Sequence, residues 1–131
     1  MKQSILFFIA VIVTLSVFVA CGEEKKATPE DVALTFVSSL KEGRYDEAAD
    51  MTLQIDSAPT PYRQLIVGRY KQIAEDIKVQ NGGIVEIKHK RTDLSADGNS
   101  ADVYLCLSFA DKTTEEILLQ LMKDGQKWQI K

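Results

Sequence analysis

The chain of 131 residues has a single histidine, His89, and two cysteines, Cys21 and Cys106. Acid–base, nucleophilic or metal chemistry would have to start from these side chains, so their surroundings bound what the protein can do. Proton transfer near neutral pH falls first to histidine. His89 stands in Lys88-His89-Lys90-Arg91, a run that reads as a solvated strand whose charges discourage edge pairing. Strand alternation sends Lys88 and Lys90 to one side and His89 and Arg91 to the other, which predicts no continuous basic patch. Glu75 and Asp76 are neighbours in a helical segment, about 100° apart on its surface, and do not converge on one site. Asp93-Leu94-Ser95-Ala96-Asp97-Gly98 imitates the opening of a calcium loop, but the twelfth position, which needs a bidentate glutamate, is Tyr104. An ordinary Asp-Gly turn is expected there. A lone histidine and the thiol of Cys106 do not build a tetrahedral zinc site. No Ser-His-Asp spacing and no phosphate-cradling glycine loop occurs. These residues predict neither a catalytic centre nor a metal or cofactor site.

Cys21 has a different setting. Met1-Lys2-Gln3-Ser4 carries one positive charge, and residues 5–20 carry none, with Thr14 and Ser16 the only polar members. That is the layout of a signal peptide. The run falls short of the ~20 apolar residues that a permanent span requires. Phe18-Val19-Ala20-Cys21 resembles a lipobox, with a small residue before the cleaved bond and Phe18 where leucine is usual. The resemblance implies that Cys21 receives diacylglycerol and an amide-linked acyl chain such as palmitate. Residues 1–20 are then the lipoprotein signal peptide, 21–27 a flexible charged tether, and 28–131 a single domain. Gly22 is not the aspartate that retains lipoproteins in an inner membrane, and Glu23-Glu24 resemble acidic surface-export signals, so the expected location is the outer membrane, periplasmic or surface-exposed. Loss of residues 1–20 removes Lys2 alone and takes the formal charge from −3 to −4. An acidic exported domain is a poor nucleic-acid binder. With Cys21 acylated, Cys106 has no partner, and the domain must be held by its core rather than by disulfides.

The domain opens with Thr28-Pro29-Glu30-Asp31: a hydroxyl to cap a helix, proline where its missing N–H costs nothing, and acids in the first turn. Val32, Ala33, Phe36, Val37 and Leu40 share one helical face, and Gly43 stops it. A short helix follows over residues 45–51, with Tyr45, Ala48 and Ala49 inward. After a turn at 56–60, Thr60-Pro61 repeats the cap-plus-proline signal. It opens a long helix bearing Tyr62, Leu65, Ile66, Tyr70, Ile73 and Ile77 at helical spacing, ended by Asn81-Gly82-Gly83. From Ile84 the period is two. Ala101, Val103, Leu105, Leu107 and Phe109 line one strand face; Asp102, Tyr104, Cys106 and Ser108 line the other. Asp124-Gly125 predicts a tight hairpin that sets Leu121 opposite Trp128 and Leu119 opposite Ile130. A loop at Lys112-Thr113-Thr114 would set Phe109 opposite Ile117 and Leu107 opposite Leu119. The fold class is therefore α+β, three helices followed by a four-stranded antiparallel meander, the sheet wrapping its apolar face around the long helix.

Thr28-Pro29-Glu30-Asp31-Val32-Ala33, Glu42-Gly43-Arg44-Tyr45-Asp46-Glu47-Ala48 and Leu121-Met122-Lys123-Asp124-Gly125-Gln126-Lys127-Trp128-Gln129-Ile130 together resemble an uncharacterised family of small bacterial lipoproteins. That family has a lumazine-binding-like, nuclear-transport-factor-like (cystatin-like) domain, and the resemblance implies that fold for residues 28–131. Because the superfold hosts isomerases, dehydratases and plain binding modules, it implies no activity by itself. Two readings follow. In the first, a non-catalytic module binds a small apolar ligand between the long helix and the sheet, with Phe36, Tyr62, Tyr70, Leu105 and Leu107 as lining candidates. Alternatively it meets an envelope protein or a second copy through the outer sheet face, where Tyr104, Leu118 and Met122 are apolar for a solvated surface. In the second, an isomerase- or dehydratase-like enzyme would need a carboxylate and a partner converging in that same cavity.

Overall fold

The computed structural model describes residues 27–131. The segment expected as a signal peptide, Cys21 and the expected tether up to residue 26 lie outside the described residues. Three α-helices, α1 (Pro29–Lys41), α2 (Tyr45–Asp50) and α3 (Thr60–Asn81), precede four strands, β1 (Ile84–Leu94), β2 (Ser100–Phe109), β3 (Thr114–Asp124) and β4 (Lys127–Ile130). The strands form one antiparallel meander in the order β1-β2-β3-β4.

The first helix starts where its chemistry says it should. The Thr28 hydroxyl accepts from the Asp31 backbone N–H at 3.2 Å, and the Asp31 carboxylate accepts from the Thr28 N–H at 3.2 Å, a reciprocal cap that satisfies two otherwise orphaned donors. Its buried face is Ala33, Phe36, Val37 and Leu40; Val32 is only half-buried. Ser39 is also buried, its hydroxyl donating to the Thr35 carbonyl at 2.9 Å. That face lies on the inner residues of β2 (Ala101, Val103, Leu105, Leu107, Phe109) with Leu121, Trp128 and Ile130. In α2, Ala48 and Ala49 are fully buried, small enough for α1 and α3 to approach closely.

The structure corrects four expectations. The sheet packs on α1, not on the long helix. α3 contains no buried residue; it rests mainly on α2 and α1 and meets the sheet at β1. Its periodicity was real, and Tyr70 and Ile77 pack against the core, but Leu65 remains 67% exposed and Ile73 42% exposed, because no layer of the described domain covers those positions. Second, Thr60 is the first helical residue rather than the cap; Pro59 takes that position with no side-chain bond, and the preceding turn includes a single 3-10 turn at Ile55–Ser57.

Third, the last hairpin turns at Gly125-Gln126, so Leu121 faces Ile130 and Lys123 faces Trp128. Gly125, with φ +64°, supplies the first loop position that a primed turn demands. Fourth, β2 and β3 pair Leu105 with Ile117 and Leu107 with Glu115, around a loop of Ala110-Asp111-Lys112 rather than 112–114. Lys112 takes the left-handed position at φ +70°. The Asp111 carboxylate accepts from the Thr113 N–H at 2.9 Å and hydroxyl at 2.5 Å. The Ala110 and Asp111 N–H groups donate to the Gly83 and Asn81 carbonyls at 3.0 and 3.1 Å, tying this loop to the end of α3. Both registers differ from expectation by an even step, so every side chain stays on the face assigned to it.

Candidate functional site

β3 runs eleven residues, but β4 runs only four and pairs with β3 from Leu121 to Asp124. A last bond from the Lys131 N–H to the Gln120 carbonyl, 2.9 Å, closes that pairing. Beyond it the inner face of β3 continues through Leu119, Ile117 and Glu115 with no fourth strand beside it among the described residues, while α3 passes on the helical side. The result is an open apolar cleft of about 480 Å³, walled by Phe36, Tyr70, Ile73, Ile77, Ile117 and Leu119 among others. Along β3 it extends for ~14 Å, four residue steps from Glu115 to Leu119 at ~3.4 Å each. Glu115 and Lys131 are its charged liners, and both are exposed. Its volume lies in the range of ligand sites, ~300–1,000 Å³.

One aromatic pair sets the roof. The Phe36 and Tyr70 rings meet edge to face, centroids 5.1 Å apart and planes at 82°, a geometry in which the positive ring edge meets the negative ring face. The Tyr70 hydroxyl is tied to the Thr52 hydroxyl at 2.6 Å. Burial pushes the Tyr70 phenol above its ordinary pKa, against the hydrogen bond from Thr52, which pulls the other way. A neutral, anchored Tyr70 therefore ties α3 to Thr52 and to Phe36 of α1.

Of the five residues expected to line a cavity, Phe36, Tyr70 and Leu107 do. Leu105 does not: it is fully buried between α1 and the sheet. Tyr62 does not either, being 49% exposed two turns earlier on α3. A second groove, about 520 Å³ and lined by Val32, Thr35, Met51 and Trp128, lies at the start of α1. Ala27, the first described residue, stands on its rim, so its wall on that side is incomplete among the described residues.

The outer sheet face carries Tyr104, Leu118 and Met122 as expected. Tyr104 and Leu118 are cross-strand partners, and Leu118 is 46% exposed. Tyr104, however, is capped by the Arg91 guanidinium, 4.2 Å from its ring centroid. A β-bulge between His89 and Arg91 produces this contact and corrects the expected alternation. Arg91 is turned to the outer face, where Lys90 also pairs with Glu116 at 2.8 Å. His89 keeps the inner side, opposite Leu105. Its Nε2 bonds the Thr92 hydroxyl at 2.7 Å, which donates to the Glu30 carboxylate at 3.1 Å. This chain ties β1 to the first turn of α1, away from the cleft, and nothing in the local sequence announces it, since Glu30 and Thr92 are 62 residues apart.

The other candidates stay structural. Asp76 accepts from Gln72 on the surface of α3 at 2.9 Å. Asp97 accepts from the Ser95 hydroxyl and the Asn99 N–H, which holds its carboxyl below the usual range and shapes an ordinary turn with Gly98 at φ +73°. Among the described residues no group of three or more His, Cys, Asp or Glu side chains is placed to hold a metal ion.

No family model matches the chain, and no curated protein matches it. Among solved structures, the chain is similar to a Campylobacter jejuni protein named as an NTF2-like transpeptidase, with 18% identity and a TM-score of 0.64, over 79% of this chain and 97% of that one. The intermembrane-space region of the chloroplast protein ARC6 matches at 16% identity with a TM-score of 0.34, over 75% of this chain and 88% of that one, too low to carry an argument. Helices packed on a four-stranded antiparallel sheet, together with the first likeness, define an NTF2-like α+β domain. At 18% identity the likeness extends to the fold and lends no reaction.

Proposed function

We propose that the chain is a lipid-anchored lipoprotein of the cell envelope, exported by residues 1–20, acylated at Cys21 and located in the outer membrane. In this reading its NTF2-like domain is a non-catalytic binding module. The observation that carries the binding role is the cleft itself: about 480 Å³ of space whose walls are aliphatic and aromatic, with Glu115 and Lys131 confined to its rim. A cavity of this kind binds by excluding water from apolar surface, and Ile73 of α3 stays 42% exposed at its wall. The enzymatic alternative finds less support, because His89 is bonded to Thr92 rather than lining the cleft.

Two measurements test the two halves of this reading. Cys21→Ala should abolish incorporation of labelled palmitate and release the protein from membranes; continued labelling overturns the anchor. For the module, the fragment of residues 27–131 should enhance the fluorescence of the neutral apolar dye N-phenyl-1-naphthylamine. Ile73→Glu, which places a charge in the cleft from a half-exposed helix position, should remove the enhancement while the fold is kept, with the melting temperature lowered by no more than several degrees. An unchanged signal in that variant places the dye elsewhere and sinks the cleft as the binding site.

A further inference from the structure

From residue 114 to residue 119 the edge of β3 that faces away from β2 has no strand beside it among the described residues. Backbone groups along a strand point alternately to its two neighbours. The Thr113 carbonyl accepts from Phe109 on β2, and the Gln120 carbonyl accepts from Lys131 on the other side. The even-numbered residues therefore direct both N–H and C=O towards the open edge, at Glu116 and Leu118. Proteins usually blunt such an edge with proline, lysine or a bulge. Here the segment is Thr114-Glu115-Glu116-Ile117-Leu118-Leu119, regular throughout, and it borders the apolar cleft over the same residues, 115, 117 and 119.

Resting on the cleft as the binding site, we infer that its occupant is an extended peptide segment of another protein, added antiparallel to β3 as a further strand. Its backbone completes the hydrogen bonds of Glu116 and Leu118. Its alternate side chains enter the cleft beneath Tyr70, Ile73 and Ile77, two apolar ones opposite Leu119 and Ile117 and a basic one opposite Glu115. The charge preference follows from Glu115, which stands exposed on the rim, whereas Glu116 is already engaged by Lys90 at 2.8 Å. A second copy of the domain is a poorer occupant. Edge-to-edge pairing would bring its helical layer against α3, and about 480 Å³ accommodates a few side chains, not a helix.

The probe is acetyl-Thr-Val-Thr-Val-Thr-Lys-Thr-amide, offered to the full chain held in phosphatidylcholine vesicles, with hydrogen exchange and calorimetric titration as readouts. Fast exchange of the Glu116 and Leu118 amides without peptide, slowed on its saturable binding, is the expected result. Leu118→Pro deletes an edge donor while leaving the β2–β3 ladder intact, and should weaken binding about tenfold, as loss of one or two bonds implies. Should that variant unfold, Glu115→Lys serves instead: it should weaken the lysine peptide and prefer the peptide with glutamate in the lysine position. Amides already slow without peptide mean that the edge is covered by the chain itself or by a second copy, and overturn the inference. So does binding indifferent to the charge exchange. If the naphthylamine dye binds the cleft and the peptide does not, the cleft reading stands and the strand addition falls; if neither binds, both fall.

Discussion

Between α1 and β2 the interior is filled; between α3 and β3 it is left open. Ala33, Phe36, Val37 and Leu40 pack on Val103, Leu105, Leu107 and Leu121, residues at most 8% exposed, as dense interiors require. A few ångströms away, Tyr70, Ile73 and Ile77 of α3 look across the cleft at Ile117 and Leu119, and no residue of α3 is fully buried. Both sides use the same kinds of residue. What separates them is what lies over the sheet: α1 covers the inner face of β2, whereas β3 from Leu119 to Glu115, beyond the end of β4, faces the cleft. In the proposed reading, stability and binding fall to different parts of one apolar interior.

The sharpest way to break this comparison is to truncate one side chain in each part. Leu105→Ala removes a fully buried side chain and should cost about 2–5 kcal/mol, the transfer term plus a cavity that the surrounding layers cannot close. Ile73→Ala, at a position 42% exposed, should cost about 1 kcal/mol or less. Denaturant melts of the two variants measure the contrast. Similar costs would mean that α3 is as firmly packed as α1.

Tyr70 joins the two parts, and a smaller effect is expected there. Tyr70→Phe deletes the 2.6 Å bond to Thr52 while keeping the ring against Phe36, and should cost about 1 kcal/mol. It also carries a pH signature. Burial raises the Tyr70 pKa above 10.0, so the fold favours the neutral phenol. The contribution is constant below pH ~10 and is lost as pH rises through the elevated folded value. The variant should show a shallower decline in stability than the parent as pH rises above 10. Parallel declines would show that Tyr70 does not anchor α3.

How much of this could be read without coordinates follows the same division. The filled part was legible because its determinants are local. Thr28 and Asp31 cap each other three residues apart, and β2 alternates without a fault from Ala101 to Phe109. Asp124-Gly125 located the hairpin but not its register, since the sequence does not say which residue takes the first loop position. The β2–β3 loop was misplaced because Lys112 holds a left-handed conformation usually left to glycine, and because Asn81 and Gly83, some thirty residues away, bind the loop backbone. The cleft was legible only in part. Phe36, Tyr70 and Leu107 carried the right signal, while Leu105 and Tyr62 carried the same signal and lie elsewhere. A helical stripe announces an apolar partner but does not say whether the chain supplies it. Arg91 escaped for a related reason: a bulge is a property of two strands, and alternation along one of them cannot show it.

Whether α3 belongs to the same cooperative unit as the core is tested by its one interior glycine. Gly68 sits mid-helix, and a Cβ built there meets nothing within 4 Å. Gly68→Ala should stabilise α3 by about 0.5–1 kcal/mol, chiefly because alanine gives up less backbone freedom on becoming helical. The comparison decides how that gain is read out. If α3 melts with the filled part, the variant raises the melting temperature of the whole domain, and amide exchange slows in the core strands by the same factor as in α3. If the open cleft lets α3 detach first, exchange slows in α3 alone, by about two- to fivefold for this free energy. The expected outcome is the second, because α3 is held chiefly by α2, Tyr70 and the bond between Arg63 and Asp50 at 2.7 Å rather than by the sheet. A uniform slowing across α3 and β2 would show that the two parts differ in packing but not in stability.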